Sequence, residues 1–200
     1  MKFVFNFINS ILVKIREIIL YFLGDILKLN PDTLTITGVI ISIGSAILFA
    51  YGYFMAAGFV LWAAGLFDVF DGLVAKRYGR GSKFGSLLDS ASDRYVEIFQ
   101  LAGLIYWFNK AGKSEFSFIA LFYLLGSVLT SYIRAKIESL GEECNVGIVQ
   151  RLERLFAFVT FALLSYFDKR FMFWGVLLIG VGANITAFQR LFHGKKVLKD

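Results

Sequence analysis

Residues 68–93 read DVFDGLVAKRYGRGSKFGSLLDSASD, and this stretch decides how the rest of the chain is understood. It joins the end of one apolar run to the start of another through Lys76-Arg77-Tyr78-Gly79-Arg80-Gly81-Ser82-Lys83, a connection rich in glycine and positive charge. At about 100° per residue, Asp68, Asp71, Gly72 and Ala75 share one helical face, and Gly85, Asp89 and Asp93 share one face of the next helix. A charge placed in an apolar span costs about 3 kcal/mol on insertion scales, so four aspartates in two consecutive runs require a reason. Carboxylates crowded together repel unless a cation lies between them. An all-oxygen ligand set without His or Cys favours Mg²⁺, Mn²⁺ or Ca²⁺ over zinc. The small residues on the same faces let a polyanionic group approach the helix backbone, which is the pattern of a phosphate-handling site. The bland alternative is that the aspartates pair with Arg77, Arg80, Lys83 and Arg94 and merely hold two helices together; the carboxylate excess and the aligned small residues argue against it.

Working outward, the sequence predicts an all-α integral membrane protein. Of its 200 residues, 58% are hydrophobic and one is proline, and apolar runs of about 20 residues recur along nearly the whole length, as a bilayer requires and a soluble core does not. Asn30-Pro31-Asp32-Thr33 is a helix-start signal. Six transmembrane helices are expected, over about 34–51, 54–75, 84–108, 116–139 and 147–166 and then to about Phe192, the third with an unusually polar first half. Residues 1–30 contain Lys14, Arg16 and Glu17 within an apolar stretch and show no small-residue cleavage site. They read as an N-terminal amphipathic juxtamembrane helix lying in the interface, with residues 31–200 as the membrane domain.

The formal charge is +6, from 21 basic and 15 acidic residues. The basic residues lie mainly in short connections, which argues for a lipid surface and against nucleic acid. Six spans put both ends and the loops after the second and fourth spans on one side. Those segments hold most of the Lys and Arg, against Lys110, Lys113, Lys169 and Arg170 opposite, so both ends are expected in the cytoplasm of a multi-pass protein of the cell (inner) membrane. The single Cys144 allows no internal disulfide and has no catalytic role in this reading.

The order D-x2-D-G-x2-A-R-x8-G-x3-D-x3-D is the signature of the CDP-alcohol phosphotransferases, and residues 68–93 resemble it with every spacing intact. The one departure is Lys76 in place of Arg, with Arg77 directly after it; this keeps the charge and puts the bidentate phosphate fork in question. The resemblance implies a six-span homodimer that transfers a phosphoalcohol from a CDP-linked lipid to an acceptor hydroxyl and releases CMP, with its site open to the cytosol. By that likeness Asp68, Asp71 and Asp89 bind two divalent ions, Mg²⁺ or Mn²⁺, and Asp93 is the general base and a further metal ligand. Gly72, Ala75, Lys76, Ser82 and Gly85, with the segment Pro31, Asp32, Thr33 and Leu34, lie against the CDP moiety.

A second set, Ser131-Tyr132-Ile-Arg134-Ala-Lys136, Gln150-Arg151-Leu-Glu153-Arg154 and Phe188-Gln189-Arg190, resembles elements of the phosphatidylinositol phosphate synthases within that family. The likeness implies a phosphorylated polyol, inositol phosphate, as acceptor, its phosphate held by Arg134, Arg154 and Arg190. Lys136 and Gln150 depart from the usual Arg and Glu. The competing reading of these arginines is that of anchors reaching toward headgroups. Glycerol 3-phosphate, giving a phosphatidylglycerophosphate synthase, is the competing acceptor; free inositol or serine would leave three arginines without a counter-charge. A divalent-cation channel or carrier is the alternative from another class. It requires acidic positions repeated along several helices, and the acidic run is read as stopping after Asp93.

Overall fold

The computed structural model describes Glu17, residues 21–26 and residues 28–198. After a π-helical turn at Phe22–Ile26, six α-helices follow in the described residues: α1 Pro31–Ala50, α2 Phe54–Tyr78, α3 Lys83–Lys110, α4 Glu115–Ser139, α5 Arg151–Leu164 and α6 Arg170–Val197. No strand occurs among the described residues. Of the amphipathic helix expected over 1–30, all but Glu17 and residues 21–26 and 28–30 falls outside them.

Four of the helices, α1, α2, α4 and α6, are long and apolar enough to cross a membrane. The polar first half of α3 keeps it out of that group. Helix α5 has 14 residues, about 21 Å at 1.5 Å per residue, against a hydrocarbon core of about 30 Å. The helix expected to begin at Gly147 begins at Arg151 instead. Gly147 has φ +136°, and the preceding backbone finds its partners in side chains of α6 rather than in a helical ladder. Thr186 Oγ1 accepts the Val149 N–H at 3.0 Å, Gln189 Oε1 accepts the Ile148 N–H at 3.2 Å, and Arg190 Nε donates to the Val146 carbonyl at 2.9 Å. His193 Nε2 lies 3.0 Å from the Glu143 carbonyl. Positions 186, 189, 190 and 193 form one face of α6, so residues 143–149 are a strap laid along that face.

The chain divides into two compact units. One comprises residues up to Ile40 with Ala63–Asp93. Its core is Leu34 against Val74, with Leu29, Phe67, Phe70 and Tyr78 around them. Helices α1 and α2 approach closely there: a Cβ on Gly38 would lie 3.2 Å from the Ala64 carbonyl oxygen. Helix α1 starts on Pro31, which has no N–H to leave unsatisfied, while Asn30 Oδ1 accepts the Asp32 N–H at 3.4 Å.

The other unit comprises Ile41–Trp62 and the chain from Arg94 onward. Phe49, Phe54, Leu101, Leu104, Tyr123 and Phe158 belong to its core. Apart from Ser117 Oγ, which has no partner, buried polar side chains are tied off inside it, as an apolar surround demands. Thr130 Oγ1 donates to the Ala183 carbonyl at 2.9 Å and Asn184 Nδ2 to the Phe122 carbonyl at 2.9 Å, joining α4 to α6. Gln100 Nε2 donates to the Ser42 carbonyl at 2.9 Å, joining α3 to α1.

Candidate active site: an aspartate cluster and a buried arginine network

Helix α2 contributes Asp68 and Asp71 and α3 contributes Asp89. One carboxylate oxygen from each lies within 4.8 Å of the others. The 68/71 spacing stacks two carboxylates on one face of α2, and the connection that follows turns α3 back so that its first turns meet that face. Asp71 is buried, while Asp68 and Asp89 are half-buried, so the trio has a closed side and an open one. Three hard oxygen donors at this separation suit a divalent cation such as Mg²⁺ or Mn²⁺. Asp93, one turn further along α3 and also buried, lies outside this trio.

The connection between α2 and α3 is built by local rules. Gly79, at φ +62°, ends α2, and the Arg80 N–H returns to the Ala75 carbonyl at 3.0 Å, a Schellman closure. Ser82 caps α3: its Oγ accepts the Gly85 N–H at 2.8 Å. A Cβ on Gly85 would sit 2.8 Å from Asp32 Oδ1 and 3.1 Å from Ser82 Oγ. The fold thus gathers Asp32, Ser82 and Gly85, three of the residues expected at the CDP moiety. A Cβ on Gly72 would meet nothing within 4 Å, so this face of α2 is open beside Asp71. Ala75 lies near Gly81, Thr33 is exposed, and Pro31 and Leu34 are buried, Leu34 within the small core.

Lys76 is exposed at the end of α2. Its neighbour Arg77 is ion-paired with Glu17. Tyr78 Oη donates to Asp25 Oδ2 at 2.6 Å and Arg80 Nη1 to the Leu29 carbonyl at 3.2 Å, so this end of α2 grips the segment before α1.

Sequence reasoning passed over Thr35. It is buried on α1 and its hydroxyl donates to Asp71 Oδ2. The available signal was its place one turn after Pro31, directly beyond the segment expected at the nucleotide.

The arginines expected to hold the acceptor phosphate lie in the other unit. Arg154 is 2% exposed. Its Nε donates to Glu97 Oε1 at 3.0 Å, its Nη2 to Glu97 Oε2 at 3.4 Å and to Ser127 Oγ at 3.3 Å, and its Nη1 to the Val149 carbonyl at 3.5 Å. Tyr123 Oη at 2.8 Å and Ser127 Oγ also donate to Glu97. Arg190, 4% exposed, donates from Nε to Val146 and from Nη1 to the Thr130 carbonyl at 2.8 Å. Arg134, half exposed, donates to Glu138 Oε1 at 2.7 Å. Arg154 and Arg190 therefore meet at the strap, and Arg190 reaches α4 one turn before Arg134. Glu97 was missed altogether: the acidic run does not stop at Asp93, and the signal was a further carboxylate four residues on in an apolar stretch.

The two helices with their facing aspartates, the glycine-rich turn and the strapped α-helical frame are those of a CDP-alcohol phosphatidyltransferase. The family model of that description matches residues 28–185, and the chain belongs to this family. Among its relatives, the archaetidylinositol phosphate synthase of Methanothermobacter thermautotrophicus is 31% identical over 195 residues, covering 96% of this chain and 97% of that one. The phosphatidylinositol phosphate synthase of Mycobacterium tuberculosis is 36% identical over 171 residues, covering 82% and 78%. The crystal structure of the M. tuberculosis phosphatidylinositol phosphate synthase with CDP-DAG bound matches with a TM-score of 0.83 at 32% identity, over 90% of this chain and 94% of that one. The same enzyme in complex with manganese and citrate matches with a TM-score of 0.82 at 32% identity, over 88% and 87%.

Proposed function

We propose that this enzyme transfers the phosphatidyl-type group of a CDP-linked lipid, such as CDP-diacylglycerol, to a hydroxyl of inositol phosphate and releases CMP. The observation that carries the reading is the meeting of Asp68, Asp71 and Asp89 within 4.8 Å on α2 and α3, inside the family's signature. The relatives named above are an archaetidylinositol phosphate synthase on the archaeal side and a phosphatidylinositol phosphate synthase on the bacterial side, which favours that acceptor over glycerol 3-phosphate.

In this reading the acceptor hydroxyl oxygen attacks the phosphorus bonded to the lipid alcohol. The new P–O bond forms as the bond to the CMP phosphate breaks, CMP leaves with that electron pair, and the hydroxyl proton passes to the Asp93 carboxylate. Asp68, Asp71 and Asp89, with Asp93, would hold two divalent ions, Mg²⁺ or Mn²⁺, which when bound would neutralise the pyrophosphate and the charge on departing CMP. Asp32, Ser82 and Gly85, with Pro31, Thr33, Leu34, Gly72 and Ala75, form the donor's nucleotide surface, and Lys76 supplies a point charge where the family has a fork. Arg134, Arg154 and Arg190 face the acceptor phosphate. Arg134 is the more accessible cation, and the Nη2 amine of Arg190 is the arm not used on the Val146 and Thr130 carbonyls. Helices α3 and α5 complete six spans in a homodimer of the cell membrane, with residues 1–30 in the interface and the site facing the cytoplasm.

The test gives purified protein, Mg²⁺ and labelled CDP-diacylglycerol or CDP-archaeol a panel of inositol phosphate, inositol, glycerol 3-phosphate and serine. The expected result is CMP release with inositol phosphate and a product mass equal to donor plus acceptor minus CMP. Preference for glycerol 3-phosphate, or for an acceptor without phosphate, overturns the acceptor assignment. Failure with every acceptor while metal ions cross liposomes overturns the transferase reading.

A further inference from the structure

Thr35 differs from the other helical threonines that bond backwards along the chain. Thr37 Oγ1 donates to the Thr33 carbonyl at 2.7 Å and Thr160 Oγ1 to the Phe156 carbonyl at 2.8 Å. Thr160 is exposed and Thr37 half-buried, and the bond serves only the local helix. Thr35 is buried, its distance to the Pro31 carbonyl is longer at 3.1 Å, and its hydroxyl also reaches Asp71 Oδ2. A hydroxyl has one proton to donate and here has two acceptors. An ionised carboxylate accepts roughly twice as strongly as a neutral carbonyl, so the proton goes to Asp71.

We propose that Thr35 is a positioning residue for the cation site: its hydroxyl fixes the Asp71 carboxylate through Oδ2, so that Asp71 presents Oδ1 toward the oxygens of Asp68 and Asp89. The inference rests on reading the three aspartates as ligands. Two features make the hold stiff. Pro31, one turn before, and Leu34, the preceding residue, are buried, and Leu34 packs on Val74, one turn beyond Asp71 on α2. Thr35 is thus delivered to Asp71 by the small core itself. A β-branched side chain in a helix has few rotamers, which restricts where its hydroxyl points. Outer partners of this kind commonly change metal affinity by about 10- to 100-fold when removed.

The experiment measures Mn²⁺ binding to the purified full chain in detergent by electron paramagnetic resonance of free Mn²⁺, in the absence of substrates. Wild type is compared with Thr35→Val, Thr35→Ala, Thr35→Ser and Asp71→Asn. The expected result is Mn²⁺ affinity about tenfold weaker in Thr35→Val and Thr35→Ala, with Thr35→Ser restoring it to within about threefold. If Thr35→Val does not fold, the Ala and Ser pair carries the same comparison. Wild-type affinity in a folded variant without the hydroxyl, or equal losses in Ala and Ser, overturns the positioning role. Unchanged binding in Asp71→Asn, or none in wild type, overturns the ligand assignment on which it rests. Raising Mn²⁺ restores CMP release in Thr35→Ala without a change in donor KM; a merely structural defect does not behave so.

Discussion

The aspartate cluster and the arginine network both place charge inside apolar helices, yet they do so in opposite ways. Around Asp71, carboxylates of one sign lie within 4.8 Å of one another, an arrangement that becomes favourable when a cation joins it. Around Arg154 the charge is answered from within the chain, by both oxygens of Glu97, by Ser127 and by a strap carbonyl. The first gathers like charges, as the proposed cation site requires; the second pairs opposite ones. The difference teaches that a buried charge in a membrane protein is a pointer to a ligand only after its internal partners are counted. By that measure Arg154 has a structural duty, fixing α5 and the strap, whatever it also does for the acceptor.

Three substitutions break or sharpen this contrast. The largest effect is expected from Asp93→Asn, which keeps the shape and removes the proposed proton acceptor: CMP release should fall about 10³-fold while the donor still binds, read by CMP release and by nucleotide binding side by side. Full turnover in that variant would remove Asp93 as base. Next comes Glu97→Gln, which leaves the Arg154 guanidinium buried against a neutral amide. Removing one partner of a buried pair typically costs about 3 kcal/mol, so a clear drop in thermal unfolding temperature is expected, with Mn²⁺ binding kept. A variant as stable as wild type would put Arg154 in the binding class instead. The smallest effect is expected from Arg77→Ala. Its pairing with Glu17 is largely exposed, such pairs contribute at most about 1 kcal/mol, and activity should stay within about twofold. A large loss would show that Arg77, and not Lys76, carries the donor phosphate.

The readable part of the site was local. Asp68 and Asp71 are three apart, and Gly85, Asp89 and Asp93 are four apart, so the helical period alone stacks them, and the glycine-rich turn between the two sets leaves little choice about which helix they meet. The unreadable part was long-range. Thr35 and Asp71 are 36 residues apart, and Glu97 and Arg154 are 57 apart; nothing in residue spacing says that such pairs touch. The fifth helix shows the same limit. Its apolar residues run back to Gly147, but the start of the helix was decided by Thr186, Gln189 and Arg190, which take the backbone groups of residues 146–149 from the other side.

By itself the sequence determined the solvent of this protein, its helical class and the chemistry of its acidic face, because hydrophobicity and helical period act over neighbouring residues. Only the tertiary structure decided which charges meet across helices, Glu97 with Arg154 in one place and Asp68, Asp71 and Asp89 in another. That decision depends on hydrogen bonds between helices, and their energy inside an apolar surround, where an unmet donor or acceptor is costly, is spent wherever the fold happens to bring the partners together.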